Sequence, residues 1–114
     1  MESLIASTPA PPYYVVVFTI VLAEDLEGFE EMGNRMVELA AGQPGFLGME
    51  YGTGDLDLTI SYWDSLESIA PWRHHAEHTL ARNLGREQWF QAFKVRIARV
   101  ERDYEFRKEE GFGG

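Results

Sequence analysis

All three histidines of the chain fall within five residues, in WRHHAEH at positions 72–78, and the three tryptophans Trp63, Trp72 and Trp89 all lie in the segment 57–93. Near Asp64 the apolar residues of that segment change their spacing from every second position to about every 3.6, the mark of a strand running into a helix. One strand–helix unit therefore gathers flat apolar rings beside side chains that titrate near neutral pH. That combination suits a neutral or weakly polar small molecule held in an apolar pocket, with a base and a cation at hand. In this arrangement Trp72 and Trp63 wall the pocket, His78 is the base and Arg86 the anion stabiliser. Phe18 on a neighbouring strand, with Trp89 and Phe90, closes the end.

Each of these residues has a plainer reading beside the chemical one. HHAEH at 74–78 fits the H-x-x-E-H string of zinc hydrolases, but the 36 residues after His78 leave no room for the remaining ligand and its domain. No metal site is expected. His74, His78 and Arg82 share a helix face opposite Ile69, Ala76, Leu80 and Leu84, which describes solvated or subunit-contacting histidines equally well. Tryptophan is more often core than cofactor box. Arg86 has an ion pair, for instance with Glu101, as its alternative. No GxGxxG, P-loop or nucleophile elbow occurs, so nucleotide and serine-hydrolase chemistry lack support.

Composition narrows the partners. A formal charge of −9 opposes phosphate backbones and anionic lipid surfaces, so neither nucleic acid nor a membrane is an expected partner. No run approaches the ~18 apolar residues of a membrane span, and the acidic start of MESLIASTPAPP does not read as a signal peptide, so the expected location is the cytoplasm. With no cysteine, disulfides, thiolate ligands and cysteine nucleophiles are excluded.

The positioning elements follow from periodicity and breakers. Residues 1–12, with three prolines, read as a flexible arm and 107–114 as a flexible tail around a single domain at 13–106. Residues 13–22 form a strand apolar on both faces. Residues 26–41 form an amphipathic helix with Asp25 as N-cap, stopped by Gly42 and Pro44. Strands 46–52 and 57–63 make a hairpin. A short turn over 65–70 precedes a helix from about 68 to 84, which puts Pro71 in its first turn. Arg86 to Gln91 adds one more turn. A last strand over 93–106 changes its apolar phase, which predicts a β-bulge near Ala98–Arg99. The β-α-β-β-α-β order is that of a ferredoxin-like α+β fold with both helices on one face of an antiparallel sheet. The bare face then calls for a second copy, and the end of the last strand reaches that neighbour.

PPYYVVVFT at 11–19, QPGFLGME at 43–50, ISYWDSLESI at 60–69, WRHHAEH at 72–78, GREQWF at 85–90 and VRIARVERDYEF at 95–106 together resemble the antibiotic biosynthesis monooxygenase family. The resemblance implies a dimeric α+β barrel and one of two activities. In the first, a small electron-rich aromatic is oxidised with O2 and no cofactor; Trp72 or Trp63 and Arg86 match that site, while its asparagine has no counterpart. In the second, haem is degraded. Trp72 again matches, but the asparagine position falls near Phe18 and the iron-ligand position near Arg82, which leaves His78 as a non-standard axial ligand. The rival from another class is a dimeric ligand-binding module without turnover.

Overall fold

The computed structural model describes residues 4–82, 88–108 and 111–113. Strands β1 (Tyr13–Leu22), β2 (Phe46–Gly52), β3 (Asp57–Trp63) and β4 (Phe90–Val100) form one antiparallel sheet in the order β2-β3-β1-β4. Helix α1 (Phe29–Ala41) follows β1, and α2 (Leu66–Arg82) follows β3. This is the expected ferredoxin-like α+β arrangement. The β-branched strand β1 lies in its middle, bonded to β3 on one side and β4 on the other.

Register decides which side chains meet. Val16 stands between Ser61 and Ile97, Phe18 between Thr59 and Val95, and Ile20 between Asp57 and Phe93. These rows face the helices. Val16 and the fully buried Trp63 form a core with Ala40 of α1 and Ile69 of α2. The opposite phase, Val15, Val17 and Val21 with Ile60 and Tyr62, faces away from the helices.

Both helices depart from expectation at their starts. α1 begins at Phe29, and its N-cap is Gly28 at φ 81°, not Asp25. The Asp25 carboxylate instead accepts the Glu27 amide within the preceding turn. A tertiary contact overrides the local cap: Trp89 packs on Gly28 and donates its indole N–H to the Glu27 carbonyl at 2.8 Å. α2 runs without interruption from Leu66, so the separate turn over 65–70 is not formed and Pro71 lies inside the helix. Ser65 accepts the Ser68 amide at 3.2 Å and caps that start. Pro71 removes the bond to the Glu67 carbonyl, while Ile69 and Trp72 on either side of it hold α2 to the sheet. Gly45, at φ 87°, lets the entry to β2 pass beneath, because a Cβ there would run into Ser68. The expected helix end near Leu84 lies outside the described residues.

The last strand is also shorter than expected. β4 pairs with β1 in step from Val100 to Ala92, and the register shift falls at Val21/Leu22, not at Ala98–Arg99. The phase change at Val100 marks the chain leaving the sheet where β1 begins. Beyond it, β5 (Glu105–Arg107) pairs with β6 (Gly111–Gly113), where the composition of the tail predicts no element. Ahead of β1, the Ala6 amide donates to Glu50 on the helix-free side of β2 at 3.0 Å, and Ala6 sits against Gly48.

Candidate active site

Between the sheet and the two helices lies a cavity of about 1120 Å³. Its walls are mostly apolar, because the helix-facing positions of β1 and β4 and the inner stripe of α1 are aliphatic or aromatic. Phe18 stands at its floor, edge-on to Phe90 and Phe93 at 5.8 and 5.4 Å between ring centroids. Phe29 of α1 packs edge-on against Trp89 and Phe90 and closes that end.

The other end is tryptophan. Trp72 of α2 tilts over Trp63 at 5.5 Å, and Phe46 meets Trp63 from the far side at the same separation. The two indoles differ in how they are satisfied. Trp63 donates to the Ser61 hydroxyl at 2.9 Å. The Trp72 indole nitrogen is buried and has no hydrogen-bond partner among the described residues. Trp72 lines the cavity with its ring, while the nitrogen itself is buried away from the cavity surface. A buried N–H without a partner costs about 1–3 kcal/mol, which a ligand acceptor would recover.

The structure separates the residues singled out from sequence. Phe18, Trp72, Trp89 and Phe90 all line the cavity. Phe90 does so from the first position of β4 and not from an added turn. Trp63 does not line it: at 0% exposure it packs against Trp72 beneath the wall. His78 does not line it either. It is exposed on the outer side of α2 with His74 and His75, where the 3.6-residue period puts it once Ile69, Trp72 and Ala76 turn inward. Arg86 lies outside the described residues.

One residue was missed. Asp57 is 4% exposed, and it lines the cavity from the first position of β3. The alternation Asp57, Thr59, Ser61, Trp63 puts a carboxylate and two hydroxyls on the helix-facing side of one strand. That phase was the signal available in the sequence. Tyr51, across β3 on β2, has its hydroxyl pushed above the ordinary value by burial and then by the Asp57 charge and hydrogen bond. On the helix-free face Tyr62 donates to Glu50 and Tyr13 to Asp103. Burial, then the Glu50 hydrogen bond, raises Tyr62 strongly.

Residues 12–84 match the family model of the antibiotic biosynthesis monooxygenases. The chain belongs to that family. It is 45% identical over 113 residues to the uncharacterized protein YqjZ of Bacillus subtilis (strain 168), covering 95% of this chain and 96% of that one. Among solved structures it resembles PA3566 of Pseudomonas aeruginosa, with a TM-score of 0.63 at 20% identity over 84% of this chain and 99% of that one. It also resembles SnoaB of Streptomyces nogalater, a cofactor-independent oxygenase, with a TM-score of 0.63 at 12% identity over 82% and 97% of the two chains. At such identities the likeness is one of fold.

Proposed function

We propose that the protein is a cofactor-independent monooxygenase that oxidises a small electron-rich aromatic with O2. The observation that carries this reading is the largely apolar cavity walled by Phe18, Phe90, Trp89 and Trp72, the last with a buried indole N–H that has no partner among the described residues. Family membership and the cofactor-independent activity of SnoaB support it.

The chemistry asks little of the protein. An anthrone-type substrate loses a proton from its ring methylene to solvent water, which later returns one to the peroxide, and the negative charge moves to its oxygen. A turn of the Trp72 ring brings its N–H to that oxygen where the charge develops, and the apolar wall strengthens the interaction. The anion passes one electron to O2, and the two radicals combine at the methylene carbon. The resulting hydroperoxide loses water to leave a second carbonyl. One oxygen atom enters the product, the other leaves as water, and the substrate supplies both hydrogens. The bulk of Phe18, Phe90 and Trp89 excludes water while the radicals combine.

A haem reading needs an imidazole on the cavity. His74, His75 and His78 are exposed and none lines it, so the residues present do not fit an axial ligand for haem.

The test is conversion of anthrone to anthraquinone under 18O2. The expected result is a rate above the protein-free control, one labelled atom per product, and no loss of rate on exhaustive dialysis against chelator. No rate above the control would leave the non-catalytic binding module in its place. The same reading includes a homodimer through the helix-free face, supported by Val15, Val17, Val21 and Ile60 there. Sedimentation showing a 13.0 kDa monomer at micromolar concentration would remove the dimer.

A further inference from the structure

The oxidation begins with a proton leaving carbon, and an apolar cavity gives that proton few places to go. Among the described residues, the titratable side chains that line the cavity are Glu30, Tyr51, Asp57, Arg73 and Glu77. Glu30, Arg73 and Glu77 are exposed, and the last two are paired with each other at 3.1 Å. Asp57 is the buried member of the set, at 4% exposure, with Ile20 of β1 opposite it. It belongs to the same helix-facing row of β3 as Thr59 and Ser61, which line the cavity with it.

Tyr51 connects this carboxylate to the surface. It stands opposite Thr59, so Asp57, two residues earlier in the same row, is its diagonal neighbour across the strand pair. Such neighbours lie about 7–8 Å apart, within reach of an aromatic side chain. The Tyr51 hydroxyl hydrogen-bonds the Asp57 carboxylate, while the residue is 63% exposed. A phenol hydroxyl donates and accepts at once, and an ionised carboxylate only accepts. Burial, then the Asp57 charge, raises the Tyr51 hydroxyl above its ordinary value, so it stays protonated and donates to Asp57. One side chain thus runs from a buried proton acceptor to solvent.

We propose that Asp57 is the general base of the oxidation and Tyr51 the relay that carries its proton out. The substrate C–H bond breaks, its electron pair stays on the substrate, and the proton goes to an Asp57 oxygen. The new carboxylic acid donates to the Tyr51 oxygen as Tyr51 releases its own proton to water. Asp57 is then charged again and Tyr51 neutral, ready for the next turnover. A carboxylate of ordinary basicity can take a proton from carbon beside a carbonyl when it is held against it. This rests on the reading of the cavity as an oxidation site, but the proton step itself needs no O2.

The experiment separates the proton from the oxygen. Anthrone deuterated at its methylene is incubated with the protein in anaerobic light water, and loss of deuterium is followed by mass spectrometry; oxidation is measured separately in air. The wild-type protein is expected to wash out deuterium faster than the protein-free control. Asp57→Asn keeps the shape and cannot take the proton, so washout and oxidation should fall together by about a hundredfold. Tyr51→Phe leaves the base and cuts the relay. Washout should then fall on the order of tenfold, the weight of one hydrogen bond to a charged group. Oxidation should fall less, because a deuteron trapped on Asp57 returns to its carbon, whereas O2 draws on the anion whether or not the deuteron has escaped. A merely structural role for Tyr51 would lower both alike.

No washout above the control, or washout undiminished in Asp57→Asn, would overturn the base; parallel losses in Tyr51→Phe would overturn the relay. If Asp57→Asn does not fold, the split between washout and oxidation in Tyr51→Phe, at an exposed position, decides the matter. Washout that depends on Asp57 without oxidation upholds the base and rejects the monooxygenase. Oxidation that Asp57→Asn leaves whole does the reverse.

Discussion

The two sides of α2 carry opposite kinds of residue. Its outer side holds His74, His75 and His78, the side chains best suited by type to move protons at neutral pH, and all three are exposed. Its inner side holds Ile69, Trp72 and Ala76, and the Trp72 indole nitrogen there is buried without a partner among the described residues. Titratable type did not decide where the chemistry can happen. Position against the sheet decides which side chains line the cavity, because only the inner side of α2 is packed away from solvent.

That contrast can be broken from several directions. Replacing the support under the inner side has the largest expected effect. Trp63→Ala removes the fully buried ring beneath Trp72 and should cost about 3–5 kcal/mol in urea unfolding. A loss under about 1 kcal/mol would show that the Trp63–Trp72 stack is not what fixes the inner side. Trp72→Phe keeps a ring and removes the N–H, so anthrone oxidation should fall about a hundredfold, as for loss of one oxyanion donor. The melting temperature should drop only slightly, and an unchanged rate would take Trp72 out of the mechanism.

A smaller effect tests the other face of the sheet. Tyr62 is raised above its ordinary value of 10.0. The folded protein keeps that proton at pH values where the unfolded chain has lost it. Its contribution to stability is therefore complete below pH 10 and is lost as pH rises further. Melting temperature should be level from about pH 7 to 9 and fall above about pH 10, less steeply in Tyr62→Phe. Identical alkaline limbs would show that other groups control the fall. The smallest effect belongs to the outer side of α2. His78→Gln should change both stability, by under about 0.5 kcal/mol, and anthrone oxidation, by less than twofold. A hundredfold loss of rate would restore His78 as the base.

The frame was legible because period and breakers both point to it. The ten-residue strand at 13–22, the hairpin around Gly52–Asp55 and the order of elements follow from alternation and turn residues. Trp72 on the wall was legible from the strand–helix unit. Two starts were not. The α1 cap depends on Trp89, 62 residues from Glu27 in sequence, and Pro71 is held inside α2 by packing on its neighbours. Local propensity contains neither contact. Asp57 is not legible for a related reason: a carboxylate at a strand end resembles a turn residue until β1 brings Ile20 beside it.

Trp89 also ties the rim of the cavity. Its backbone carbonyl accepts the Ala23 amide at 2.7 Å, its indole N–H goes to Glu27, and the neighbouring Gln88 side chain goes to the same Glu27 carbonyl. The loop from β1 to α1 is thus stapled at two points to the residues that begin β4. Any molecule entering by this rim has to unfasten both, which makes the Ala23 amide a built-in gauge of opening. Its proton can exchange with solvent only while the staple is undone, so its exchange rate reads how often this end of the protein stands ajar.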